Sequence, residues 1–353
     1  MAKKYKIAFV FIVEKGDLEN KAMLLGESLR KFFPNDNEVP IFAVRPRKGS
    51  EIDEFTLKKF KDLKIVYIYE PVNLIWRNLP FANQAYGSAL IEDKLKDDSE
   101  LLVYLDADMV CLKNPDKLYM DNRTKILITP VDVNWTGGVK YGENLTWNWK
   151  FSYQLNNVDI KNLWPVYTKV EKDEIYPYYN SGLIVVRPEL GVFKRWMDMF
   201  EISSKIGYFG MFSPLSKEFG FTDQVFLSSI IVSMFKRDEI GVLDDSYNFP
   251  VNIAGEKIFK NQGKVDLDSI TFLHYHHSFY DMDWTKFFNF GKFDYSWFIS
   301  KLPLPWDLKT AKYRKKREYI RQYIIYYYWK IKLMLGGLKN VNKPKNQLVG
   351  DSK

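Results

Sequence analysis

The sequence has one cysteine, Cys111, among 353 residues, so no internal disulfide can staple it. No stretch approaches the roughly 18 apolar residues of a membrane-spanning helix. The start, Met1-Ala2-Lys3-Lys4, runs into a short apolar segment without a signal-peptide cleavage pattern. These absences lead to the expectation of a reducing, cytoplasmic compartment, in which the Asn-x-Ser/Thr triplets at Asn122, Asn134 and Asn144 stay unglycosylated. What is present is ordinary: 46% hydrophobic and 27% charged residues, a globular composition that excludes disordered, collagenous and disulfide-dense classes. One large domain or two modest ones fit, and folding at this length buries roughly 75% of the unfolded chain's surface.

The net charge of +8 hides an asymmetry. Residues 309–353 hold 13 basic and 2 acidic residues, whereas residues 1–308 hold 39 basic and 42 acidic. The body is nearly neutral and the tail is basic. A groove for nucleic acid would spread its charge over the folded body, so nucleic acid is an unlikely partner and an appended electrostatic anchor is favoured.

Lys6 to Val13 is a continuous apolar run bounded by charge, the pattern of a strand buried on both faces of a parallel sheet. Asn20 to Phe33 then spaces Leu24, Leu25, Ser28, Leu29 and Phe32 at helical intervals and stops at Pro34. Strand-like runs at Val39 to Val44, Ile65 to Tyr69 and Leu101 to Leu105 alternate with helical segments at Glu51 to Lys61 and Ala82 to Leu95. This alternation predicts a doubly wound α/β layer with its ligand beyond the carboxyl ends of the strands. Further strands are expected at Lys125 to Pro130, Gly182 to Val186 and Ser269 to His276, and helices at Val192 to Ile202 and Thr222 to Phe235.

Residues 134–179 are rich in Trp, Tyr and Asn and poor in periodicity. They read either as a lid or acceptor region that stacks sugar rings, or as aromatics packing an irregular excursion. Residues 300–308 read as a proline-interrupted linker between a 1–299 domain and a basic amphipathic helix at 309–340. In that helix Tyr313, Ile320, Ile324, Tyr327, Ile331 and Met334 share a stripe flanked by Arg and Lys, the make-up of an interfacial helix on an anionic membrane surface. Packing on the chain's own body or pairing with a partner helix are the bland alternatives. Residues 341–353 read as a disordered tail.

Leu101 to Leu105 deliver two carboxylates, Asp106 and Asp108, to the end of a strand expected inside the sheet, where unpaired charge is costly. Residues i and i+2 of an extended chain point the same way, so both can converge on a hard divalent cation, Mg2+ or Mn2+, which in turn holds phosphate oxygens. The same strand with Asp-x-Asp also begins haloacid-dehalogenase-type phosphatases, in which Asp244-Asp245 could complete a Mg2+ site. The position of the strand, after two or three β-α units, argues against that reading.

Tyr104-Leu105-Asp106-Ala107-Asp108-Met109-Val110 with Lys113-Asn114-Pro115, then Tyr179-Asn180-Ser181-Gly182-Leu183-Ile184-Val185, then Thr222-Asp223-Gln224, then a His-rich strand end, resemble in order and spacing the retaining glycosyltransferases of family 8, the group of glycogenin and the bacterial lipopolysaccharide galactosyl- and glucosyltransferases. The resemblance covers about residues 6–285. It implies a GT-A fold, Rossmann-like with a mixed, mostly parallel sheet flanked by helices, and a C-terminal basic tail beyond it. It also implies transfer of a hexose, with retention, from a nucleotide-sugar donor, on the pattern of a UDP-sugar, to a glycan or lipid-linked glycan acceptor, with Mn2+ or Mg2+. A catalytically inactive scaffold that binds sugar or membrane is the alternative.

On this resemblance Asp106 and Asp108 match the metal-binding pair, with Asp106 also near the donor ribose. The third ligand is a histidine on a late strand: pairing with Tyr275 favours His274, and distance to Trp284 favours His276. Strand alternation puts these two on one face and His277 on the other. Ser181 and Gly182 match donor-binding positions, with Gly182 kept small where backbone passes close to ligand. Asn180, Asp223 and Gln224 match the polar residues around the transferred sugar, Gln224 opposite the leaving group. The Gly and Lys of the family's late His motif are missing, which leaves Lys286 or Arg77 as the cation for the departing diphosphate. The segment Asn83 to Leu90 lacks the family's Arg.

Overall fold

The computed structural model describes residues 3–35, 38–76, 79–134, 137–206, 221–251, 258, 260, 263–276, 287–302 (the side chain of 298 excepted) and 304, with single positions between 320 and 334. The first half alternates: β1 (Ala8–Ile12), α1 (Asp17–Phe32), β2 (Ile41–Arg45), α2 (Glu54–Asp62), β3 (Val66–Tyr69), α3 (Ala82–Leu95) and β4 (Leu102–Leu105). There follow β5 (Met109–Cys111), β6 (Ile126–Pro130), α4 (Trp147–Leu155), β7 (Val166–Tyr167), β8 (Glu174–Ile175), β9 (Tyr179–Val186), α5 (Val192–Lys205) and α6 (Thr222–Met234). The last elements are short: β10 (Ile240–Val242), β11 (Phe249–Pro250), β12 (Val265–Asp266), β13 (Phe272–His274), β14 (Phe288–Asn289) and α7 (Ser296–Ile299).

Seven strands form the main sheet in the order β10-β6-β9-β4-β1-β2-β3, all parallel except β9, which runs against both β4 and β6. This is the mixed, mostly parallel α/β layer expected. Every residue of β1 is buried, because helices cover both faces. Val10 and Ile12 pack with Ala85 of α3, Trp196 of α5 and Phe226 of α6. Phe9 and Phe11 face the other way, onto Leu25 and Leu29 of α1 and Phe60 of α2. Strand order reverses at β1, with β2 on one side and β4 on the other, and the carboxyl ends of β1 and β4 at such a switch point are where sheets of this kind take their ligands.

Two devices bring distant chain to that switch point. A second sheet, β11-β13-β5, sets β13 antiparallel to β5 with His274 opposite Met109. Strand β9 shifts register against β6 between Ile128 and Thr129, so that Thr129 pairs with Asn180 and the run Ser181 to Leu183 bulges.

Boundaries differ from the sequence reading in instructive places. Helix α1 starts at Asp17 rather than Asn20, because the Glu19 carboxylate accepts from the Gly16 N–H at 2.7 Å and caps the first turn. The late strand ends at His274 rather than His276. Within 134–179 the helix α4 and the β7–β8 pair are regular, and Trp149, Tyr153 and Tyr178 are buried with Val131 and Ile175 in their own cluster. Trp147 remains 42% exposed, stacked on Phe151 at 4.9 Å. The expected 309–319 and 335–340 parts of the basic helix, most of the 300–308 linker and the 341–353 tail lie outside the described residues.

Candidate functional site

The chain leaves β4 at Leu105, and Asp106 to Asp108 turn into β5 at the switch point of the sheet. Asp106 is held from three sides. Its backbone N–H donates to Gly182 O at 2.8 Å, while Oδ1 accepts from the Tyr104 hydroxyl at 2.7 Å and from Gln84 Nε2 at 2.9 Å. Gln84 is in the first turn of α3, within the segment that lacks the family's arginine.

Asp108 is held differently. Its Oδ1 lies 3.1 Å from His274 Nε2, and its Oδ2 lies 3.1 Å from Lys21 Nζ. The backbone reinforces the junction, since Tyr275 N donates to Asp108 O at 3.0 Å. Asn248 Oδ1 accepts from the other ring nitrogen, Nδ1 of His274, at 2.7 Å. That bond commits the Nδ1 proton and leaves Nε2 aimed at the aspartates, the outer support that metal-bound imidazoles have.

His274 and His276 do come together, with ring centroids 3.8 Å apart, although not by strand alternation. The strand has ended, and His276 turns back through a left-handed backbone with φ of 51°. Among the described residues, ligand atoms of Asp108, His274 and His276 lie within 4.8 Å of one another, and Asp106 Oδ2 lies 3.8 Å from His274 Nε2. A carboxylate and imidazole set of this size fits a divalent metal ion. His277, Lys286 and Arg77 lie outside the described residues.

The charges are unequal. Burial, with Asp108 next to it, pushes the Asp106 carboxyl up to about 6. Burial also opposes ionisation of Asp108, but Lys21 and His274 outweigh it and hold that carboxyl well below the usual range. For His274 burial pulls the pKa down, and the adjoining Asp108 carries the net shift upward.

Gly182 has a more local reason for being glycine than the approach of a ligand. A Cβ there would lie 3.0 Å from Asn180 Oδ1, 3.0 Å from His274 Cε1 and 3.2 Å from Asp106 Oδ2. The backbone of the β9 bulge therefore threads between the aspartate and the imidazole. Asn180 shapes that bulge, since its Oδ1 accepts from the Gly182 N–H at 2.7 Å.

Ser181 donates from Oγ to Asp223 Oδ2 at 3.0 Å, joining the bulge to the first turn of α6. Asp223 is buried, and burial pushes its carboxyl up to about 7, with Asp106 adding to the shift. Asp223 Oδ1, Gln224 Oε1 and Gln84 Oε1 are all buried without a hydrogen-bond partner among the described residues. Orphaned acceptors are costly in a finished core and expected where a ligand completes the bonding. Asp244 and Asp245, the pair a phosphatase would need, instead meet Lys117 at 2.7 Å and Lys172 at 3.5 Å on the surface.

Sequence reasoning missed Lys21, Gln84 and Asn248. For Lys21 a signal existed: it stands four residues before Leu25 and seven before Ser28, on the apolar stripe of α1, and is only 3% exposed. Gln84 and Asn248 carry no pattern that marks them.

The family model described as the Rhodobacterales glycosyltransferase domain matches residues 9–234. The galactosyltransferase LgtC, solved with donor and acceptor sugar analogues, is similar at 13% identity and a TM-score of 0.45, over 79% of this chain and 91% of its own. Mouse xyloside xylosyltransferase 1 is similar at 17% identity and a TM-score of 0.40, over 76% of this chain and 96% of its own. The glycosyltransferase GlyE of Streptococcus pneumoniae TIGR4 is similar at 15% identity and a TM-score of 0.47, over 89% of this chain and 64% of its own. No curated protein matches.

Proposed function

The chain belongs to the Rhodobacterales glycosyltransferase domain family and is a glycosyltransferase, and we propose that it moves a hexose from a nucleotide-sugar donor, with UDP-sugars the first to test, to a glycan or lipid-linked acceptor with the help of Mn2+ or Mg2+. The observation that carries this reading is the convergence of Asp106, Asp108, His274 and His276 at the switch point of the sheet.

Asp106, Asp108 and one or both histidines would hold the ion. When bound, it supplies Lewis-acid stabilisation of charge on the departing diphosphate, worth several kcal/mol. Tyr104 and Gln84 fix the Asp106 carboxylate and Asn248 fixes the His274 ring, so the ligand atoms are positioned before the donor arrives.

Asp223 and Gln224 face the transferred sugar in this reading, with Ser181 and Asn180 on the bulge beside them. The unpartnered buried Gln224 Oε1 and Asp223 Oδ1 support it, because sugar hydroxyls and a developing oxocarbenium centre are the partners such acceptors lack. A side-chain amide is a weak nucleophile, which favours same-face attack and retention over a covalent intermediate on the protein.

The described positions near the C-terminus support a membrane-surface acceptor. Ile320, Ile324, Ile331 and Met334 are 52%, 63%, 55% and 78% exposed in helical backbone, within a strongly basic stretch. No described helix is long and apolar enough to cross a membrane.

A thermal-shift screen of UDP-, GDP- and ADP-sugars with and without Mn2+ tests the proposal. The expected result is stabilisation by one nucleotide class that grows with Mn2+. No stabilisation by any of them, with or without the ion, contradicts it.

A further inference from the structure

The lysine of the late histidine motif is missing from this sequence, yet a buried lysine reaches the aspartate pair from the opposite end of the chain. Lys21 rises from the second turn of α1, its side chain 4% exposed, with Nζ 3.1 Å from Asp108 Oδ2 and 6.0 Å from the centroid of the Tyr275 ring. Among the described residues it is the lysine or arginine that ion-pairs with this carboxylate pair.

Resting on the glycosyltransferase reading above, we propose that Lys21 is the resident cation for the donor's diphosphate, and that it competes with the divalent ion for Asp108 until the diphosphate arrives.

Asp106 and Asp108 bring two negative charges at most, and Lys21 already offsets one of them. A dication entering alone must share Asp108 with an ammonium on its other oxygen, and like charges in a buried site repel strongly. A nucleoside diphosphate removes the conflict, because its oxygens give both the ion and the ammonium an anionic partner. Asp108 presents Oδ1 to His274 and Oδ2 to Lys21, so a single carboxylate joins the ammonium to the imidazole that would hold the ion. Desolvation makes the lysine effective as an anion partner: a buried ammonium gains from each anionic neighbour, and a diphosphate supplies one beside Asp108.

Two affinities that move in opposite directions test this. Titration calorimetry on the full chain would measure Mn2+ alone, and then UDP, GDP and ADP at saturating Mn2+, for wild type and Lys21→Met. The variant should bind Mn2+ alone about tenfold more tightly and the preferred nucleoside diphosphate about tenfold more weakly. Damage to the site would weaken both, so the opposed shifts belong to lost charge. Unchanged or weaker Mn2+ binding by the variant, or unchanged diphosphate binding, overturns the proposal. Should Lys21→Met fail to fold by circular dichroism, Lys21→Gln carries the same pair of measurements. If wild type binds Mn2+ but none of the three diphosphates, the donor reading falls, and the Mn2+ titration alone then decides whether Lys21 competes at Asp108.

Discussion

His274 Nε2 lies 3.1 Å from Asp108 Oδ1 across 166 residues of sequence, because β13 pairs antiparallel with β5 and sets His274 opposite Met109. The pairing of two three-residue strands thus assembles the site. Substituting His274 by Ala should weaken Mn2+ binding by 10- to 100-fold, and Asn248→Ala should weaken it less by freeing the ring, both read by calorimetry. An Asn248→Ala variant with wild-type affinity would remove the positioning role.

Gln224 offers a separation of activity from stability. Its buried Oε1 has no hydrogen-bond partner among the described residues, so folding gains little from that atom. Gln224→Ala should keep stability within about 1 kcal/mol of wild type while kcat falls by about 100-fold, the scale of one lost polar contact to a developing charge. Unchanged kcat would take the residue out of the reaction.

Asp223 ties stability to pH. Its folded carboxyl is pushed up to about 7, above the unfolded value near 4, so the folded protein holds a proton that the unfolded chain has released. Its contribution is therefore full below about pH 4 and is lost as pH rises through 7. The Tm of metal-free wild type should fall across that window by more than the Tm of Asp223→Asn, measured by calorimetry at steps of one pH unit. Parallel profiles would mean the carboxyl is not shifted.

A side chain at Gly182 should crowd the ion site. Gly182→Ala forces Asn180, His274 or Asp106 to move, at a cost of about 1–3 kcal/mol. Because two of those neighbours belong to the ion site, Mn2+ affinity should drop more sharply than Tm. A variant with intact Mn2+ binding would show that the bulge and the ion site are independent.

The exposed stripe near the C-terminus is testable without truncation. Ile324→Glu with Ile331→Glu should abolish sedimentation with vesicles containing anionic lipid and leave hydrolysis of the donor unchanged. Undiminished sedimentation would assign the stripe to packing or to a protein partner.

Much of this was legible in the sequence. Continuous apolar runs such as Lys6 to Val13 can lie only where both faces are covered, so the doubly wound layer and the strand that ends just before Asp106 follow from composition and order. The nearness of Asp106 and Asp108 to the late histidines was legible through the spacing of blocks that resemble a known family. Long-range pairing was not: nothing in Tyr179 to Val186 marks it as the strand that runs against its neighbours, or as bulged at Ser181 to Leu183. Lys21 was hidden for a physical reason. A lysine on a helix ordinarily reads as solvated, and only its register with Leu25 and Ser28 betrays that it points inward.

The most direct measurement is release of nucleoside diphosphate from a nucleotide sugar by wild type and by Asp108→Asn, with Mn2+ and with chelator. Wild-type release that needs Mn2+ and falls at least 100-fold in Asp108→Asn is the predicted result. Equal release by both proteins, or release indifferent to chelator, would contradict an ion held by Asp106, Asp108 and the histidines.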